Sequence, residues 1–160
     1  MKDGVEIRAA RSGDEVEIHA MICELAEFEK LSHQVVSTPA SIRESLFGDS
    51  NHAEALLAQI DGRAVAFALF FHNYSTFMGK PGLYLEDLYV RPKYRQQGIG
   101  RSLLVQLAKV ARERDCGRFE WSVLDWNSNA IEFYEGLGAD VLPDWRVVRL
   151  DQDGIRRLAD

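Results

Sequence analysis

Residues 84–101, YLEDLYVRPKYRQQGIGR, carry in succession two adjacent carboxylates, Glu86 and Asp87, and two glycines, Gly98 and Gly100, set between Arg95 and Arg101. The glycines stand at the mouth of an amphipathic helix, where each costs roughly 1 kcal/mol relative to alanine. A strand that feeds a loop and then a helix N-terminus binds phosphate well. The first-turn N–H groups lack helical partners, the helix dipole favours an anion, and bare glycine backbone lets the ligand come close. Arg95 and Arg101 add charge and donors suited to phosphate oxygens. A structural turn would use the same two glycines, so the pair alone leaves both readings open. Two nucleotide loops are excluded: the lysine-serine ending of a Walker A loop is missing, and Leu103 stands where the dinucleotide pattern needs its third glycine.

The rest of the chain offers little competing chemistry. His19, His33, His52 and His72 show no ligand spacing and no triad partner, and read as surface or helix-flank residues. Cys23 and Cys116 are far apart and lack CxxC spacing, which predicts reduced, buried thiols and neither a disulfide nor a metal site. A formal net charge of -6 argues against a nucleic-acid or anionic-membrane surface, since both need a positive field, and suits a cationic partner. The N-terminus has no apolar signal region and no run of about 18 apolar residues occurs, so the reading is a soluble, cytoplasmic protein.

Periodicity supplies the elements that must position these residues. VEIRAA (Val5 to Ala10) alternates as a short strand, and Ser12 with Glu15 makes a capping box for a helix running to about Lys30, with Val16, Ile18, Met21, Ile22 and Leu25 as its apolar stripe. A shorter helix is expected at STPASIRESLF, capped by Thr38 with Pro39 at its first position. Asp61-Gly62 splits two apolar runs as a hairpin. Leu83 to Val90 is a strand leading into the glycine loop, and Ile99, Leu103, Leu107 and Val110 form the apolar face of the following helix. RFEWSVL is the next strand, Asn127 caps a short helix ended by Gly138, and WRVVRLD closes the sheet. With 160 residues, 46% of them hydrophobic, and no repeat or linker, the expectation is one α/β domain over 1–160.

The stretch RQQGIG resembles the Arg/Gln-x-x-Gly-x-Gly/Ala pyrophosphate loop of the GNAT superfamily of acetyl-CoA-dependent N-acetyltransferases. The resemblance extends through ELAEFEKLSHQV, YLEDLYVRPKYRQQGIG, WNSNAIEFYEGLGA and DWRVVRLD, which look like segments of the diamine acetyltransferases, the spermidine/spermine and thialysine branch. It implies a single-domain GNAT fold with a mixed six- to seven-stranded sheet, helices on both faces, and a homodimer. It also implies acetyl-CoA as cosubstrate and no metal. The pyrophosphate then falls on Arg95, Gln96, Gln97, Gly98, Ile99, Gly100 and Arg101, and the pantetheine on the strand end Leu88, Tyr89 and Val90. Asn127, Ser128, Asn129 and Ala130 match further coenzyme contacts; the sequence alone favours Asn127 as a helix cap, and both roles can hold at once.

By the same resemblance Tyr134 is the general acid for the departing thiolate, a role suited to a phenol that stays protonated at neutral pH. A primary aliphatic amine, with a pKa near 10.4, must lose a proton before it attacks. A carboxylate can collect that proton through water. On a regular strand Glu86 and Asp87 face opposite sides, so Glu86 is taken as base and cation anchor and Asp87 as support. Glu29 matches an acidic residue that contacts the polyamine, and Trp145 a tryptophan on the substrate side. The expected reaction is direct acetyl transfer to a small cationic amine, a polyamine or thialysine-like amino acid. A GNAT acting on a protein amine or an antibiotic, or an acetyl-CoA-binding sensor without turnover, are the alternatives.

Overall fold

The computed structural model describes residues 4–160; the first three residues of the N-terminal stretch read for an export signal lie outside them. By contact density the chain divides into two compact units, Met1–Ser122 and Val123–Asp160. The first holds a five-stranded sheet in the order β1-β2-β3-β4-β5, formed by Val5–Ala9, Glu54–Ile60, Arg63–Ser75, Lys80–Val90 and Arg118–Trp121. Strands β1 to β4 are antiparallel neighbours, and β5 joins β4 in parallel. The mixed sheet is therefore smaller than the six or seven strands expected. The missing strand is WRVVRLD, because residues 141–150 form irregular chain without strand pairing. A strand signal is only a capacity to pair, and it is realised where an edge supplies partners.

Local chemistry explains most of the remaining elements. Asp61 and Gly62 both take positive φ, 50° and 74°, which the tight turn between β2 and β3 requires. In α2, Pro39–Phe47, the Thr38 hydroxyl accepts from the Ser41 N–H while the Ser41 hydroxyl accepts from the Thr38 N–H, as a capping box. The box expected at Ser12 does not form. Helix α1, Glu15–Phe28, starts at Asp14, whose carboxylate binds the Arg8 guanidinium at 2.6 and 2.9 Å and accepts from the Arg11 N–H, while Glu15 accepts from the Gly13 N–H at 2.7 Å. Glu15 is drawn back toward its own entry loop, and Ser12 is left outside the helix.

Two helical layers cover the sheet. On one face Ile18 and Met21 of α1 and Leu46 of α2 pack with Leu57, Phe67 and Tyr89. Val16, expected in this stripe, is exposed. By strand alternation Leu56, Ala58, Ala66 and Ala68 point the other way, where α3, Ile99–Glu113, packs across β2 to β5 through Ile99, Leu103 and Leu107. Cys23 is exposed and Cys116 partly so, which corrects the expectation that both are buried; both thiols are free. In the second unit, α4 spans Ser128–Glu135 and α5 spans Gln152–Ala159. Among the described residues no helix is long and apolar enough to cross a membrane.

Candidate active site

The site begins where the sheet comes apart. β5 pairs with β4 only from Gly82 to Leu85, yet β4 runs on to Val90, so residues 87–90 are paired on the β3 side alone. A bulge sits at the parting: Asp87 opposes Leu69 and Leu85 opposes Phe70, which leaves Glu86 as the extra residue. Bulges bend a strand, sharpen its twist and re-aim its side chains. Beyond it the pairing is fixed by Arg91, whose N–H donates to the Val65 carbonyl at 3.0 Å. With a period of two, Tyr89 and Asp87 turn their amide groups toward β3, and Leu88 and Val90 turn theirs to the open side. Arg95 confirms that parity, since its Nε reaches the Val90 carbonyl at 2.8 Å. The open edge is a template for an extended ligand rich in amides.

The glycine loop follows at once. A short 3-10 turn, Pro92–Tyr94, leads to Gln96 at φ 59° and Gly98 at φ 78°, and Gly98 is the N-cap residue of α3. Gly98 must therefore be glycine, or be strained, for the loop to turn into the helix. Gly100 differs. Its φ is ordinary for a helix, and an added Cβ would meet only a Val90 methyl at 3.7 Å, an unstrained contact. The fold therefore has no need of a glycine at this position. Buried Ile99 anchors the helix start between the two. Gln97 Nε2 donates to the Lys93 carbonyl, Arg101 is exposed, and the Arg95 guanidinium lies 5.2 Å from the Phe28 ring centre and 5.6 Å from that of Tyr89.

Three carboxyl groups gather beside this edge. Asp87 shares the face of Tyr89, the one α1 covers. Burial, then the like charges of Glu86 and Glu29, push its carboxyl up to about 6. Glu29, directly after the last residue of α1, is also raised by burial. Glu86 is exposed at the bulge. The bulge thus breaks the regular alternation from which Glu86 and Asp87 were expected on opposite faces. Sequence patterning carries no signal for it. Among the described residues no group of three His, Cys, Asp or Glu side chains is arranged to hold a metal ion.

The second unit holds the other predicted residues. The Asn127 side chain accepts from the Ala130 N–H at 3.3 Å, so its cap role is realised, and Ser128 and Asn129 are exposed in the first turn of α4. The helix closes where Gly138, at φ 88°, donates to the Glu135 carbonyl and Ala139 donates to that of Tyr134. Tyr134 is half-buried, its ring 5.4 Å from that of Phe133, and Trp145 is largely exposed on the irregular segment.

These arrangements have counterparts in known proteins. The profile of the acetyltransferase (GNAT) family matches residues 19–139 and so crosses the division between the two units. A thialysine N-epsilon-acetyltransferase of Mus musculus is 40% identical over 164 residues, with 96% of each chain covered. An L-ornithine N5-acetyltransferase of Arabidopsis thaliana is 32% identical over 95% of this chain and 86% of its own. The solved structure of an integron cassette protein from V. cholerae shares the fold, with a TM-score of 0.82 at 22% identity over 99% of each chain. The family match runs from α1 through the open strand edge and the glycine loop to the turn after α4, and the chain accordingly belongs to the GNAT family as an N-acetyltransferase.

Proposed function

We propose that this enzyme transfers acetyl from acetyl-CoA to a primary amine of a small cationic molecule, a thialysine-like amino acid or a polyamine, by direct attack of the amine. The observation that carries this reading is the placement of Asp87, Glu86 and Glu29 beside an open strand edge that runs into a glycine loop at the N-terminus of α3. The names of the relatives, which act on thialysine and on ornithine, support an amino acid with a side-chain amine as acceptor.

The residues present fit the coenzyme. Leu88 and Val90 turn their amide groups to the side where a pantetheine arm would lie as an added strand. Gly98 and Gly100 leave the N-terminus of α3 bare for a pyrophosphate, with Gln96, Gln97 and Arg101 around it. Arg95 donates its Nε to the Val90 carbonyl and brings its charge to the mouth of the loop. When bound, acetyl-CoA supplies a thioester whose acyl carbon is the electrophile. Acidic side chains draw the ammonium in, Glu86 from its exposed position and Glu29 from the end of α1. A carboxyl raised to about 6 is ionised at neutral pH and matched to proton transfer, so in this reading Asp87, expected from the sequence only as support, replaces Glu86 as the base and takes the proton through water. Tyr134 returns a proton to the departing thiolate in this reading. The same reading includes a cytoplasmic homodimer, for which Trp145, Val147 and Val148 offer exposed apolar surface.

The test is thiol release from acetyl-CoA by the purified protein with thialysine, ornithine, lysine, putrescine, spermidine, spermine and an aminoglycoside as acceptors. Turnover selective for one small amine, with the acetylated nitrogen found by mass spectrometry, is the expected result. Coenzyme binding without turnover on any of them would overturn it in favour of a protein acceptor or a sensor.

A further inference from the structure

Helix α1 ends badly by its own electrostatics. Glu24, Glu27 and Glu29 crowd its C-terminus, its last turn has no basic residue, and the helix dipole disfavours acids there. The countercharge comes from outside the helix. Arg91, the residue after β4, bonds Glu24 through Nε at 3.0 Å and Nη2 at 2.9 Å, and its Nη1 reaches both Glu17 at 3.1 Å and the Ala64 carbonyl at 2.9 Å. Its backbone N–H is the donor to Val65 that fixes the parity of the coenzyme edge. Glu17 and Glu24 lie two turns apart on one stripe of α1, and Phe28, one turn further on, lies under the Arg95 guanidinium.

The Arg91 guanidinium thus grips two carboxylates and one carbonyl while its side chain is only 26% exposed. An isolated surface ion pair has little influence on structure. A planar fork with partners on two elements has more, and lysine cannot reproduce it.

Building on the amine-acetylating reading, we infer that Arg91 is a positioning residue for the acceptor site: from the end of the coenzyme strand it holds the acidic end of α1, and with it Glu29, against Asp87. Core packing through Ile18 and Met21 sets where α1 lies on the sheet. Ile22, Leu25 and buried Ala26 seat the C-terminal half of the helix on the core as well, and Arg91 adds the polar tie that orients its last turn relative to β4 through Glu24.

The test compares wild type with Arg91→Met and Arg91→Lys in hydrogen exchange at the amides of residues 25–31 and in steady-state kinetics with thialysine and acetyl-CoA. In Arg91→Met, exchange at those amides should rise about tenfold while the β2–β3 amides stay unchanged, in line with local opening of a helix end. The KM for thialysine should rise about tenfold, with the KM for acetyl-CoA and kcat within about twofold, the pattern of lost acceptor binding. Arg91→Lys should fall between, and carries the same comparison if Arg91→Met does not fold. Unchanged exchange at 25–31, or faster exchange with an unchanged thialysine KM, or two KM values rising together, would each overturn the inference. If the wild type turns over no amine, the functional reading falls, while the exchange comparison still decides what Arg91 holds.

Discussion

Replacing Asp87 with asparagine should make the protein more stable and far less active at once. The carboxyl is raised from 3.8 to about 6, with burial as the largest cause and the charges of Glu86 and Glu29 adding to it. A shift of about two units corresponds to about 3 kcal/mol of penalty for keeping Asp87 ionised in the folded protein. Asparagine has the same shape and no charge, so about 3 kcal/mol is the ceiling on its gain. For a chain of this size, at roughly 2–4 °C per kcal/mol, the melting temperature should rise by up to about 10 °C. The sign follows from proton linkage. The folded pKa lies above the unfolded one, so the folded state binds the proton more tightly and the penalty is complete only above about pH 6. It shrinks as pH falls toward 3.8 and is gone below that.

Thermal melts of wild type and Asp87→Asn at pH 7.5, 5.5 and 4 give the comparison, and other titrating groups cancel in the difference. The stability gap should be widest at pH 7.5 and nearly closed at pH 4. In parallel, wild-type kcat/KM should fall on the acid side with a midpoint near 6, as Asp87 takes up the proton it must lack to act as base. A variant less stable than wild type at pH 7.5, or a gap that does not change with pH, would refute the claim that Asp87 is held ionised at a cost.

Gly100→Ala should stabilise α3 by up to about 1 kcal/mol while raising the KM for acetyl-CoA several-fold, and an unchanged KM would remove the ligand from the explanation of Gly100. Gly98→Glu, which puts a side chain and a like charge at a left-handed position, should raise the same KM more strongly and lower the melting temperature. Tyr134→Phe should lower kcat by about a hundredfold with little change in coenzyme affinity, as followed by thiol release, and near-normal turnover would remove Tyr134 as the acid.

What the sequence made legible and what it hid differ in range along the chain. The Asp61-Gly62 turn, the Thr38 box with Pro39, the Asn127 cap and the Gly98 turn are each decided within about four residues, and each forms as its local chemistry dictates. The apolar face of α3 is legible for the same reason, since one helical period fixes it. The Ser12 box fails because a distant competitor enters: Arg8, held in β1, takes the Asp14 carboxylate and the helix starts there instead. The strand expected at WRVVRLD fails because pairing needs a neighbour that composition cannot supply. The bulge at Glu86 is the most consequential case. Nothing in LEDLYV marks one residue as surplus, because surplus is defined only against Leu69 and Phe70 on β3. Yet that surplus residue sets the surroundings of both carboxylates. It leaves Glu86 in solvent at the mouth of the open edge and puts Asp87 on the buried face beside Glu29, where burial and the neighbouring charges push the Asp87 carboxyl up to about 6. In the proposed reaction, that difference of environment lets Glu86 meet the cation while Asp87 accepts its proton.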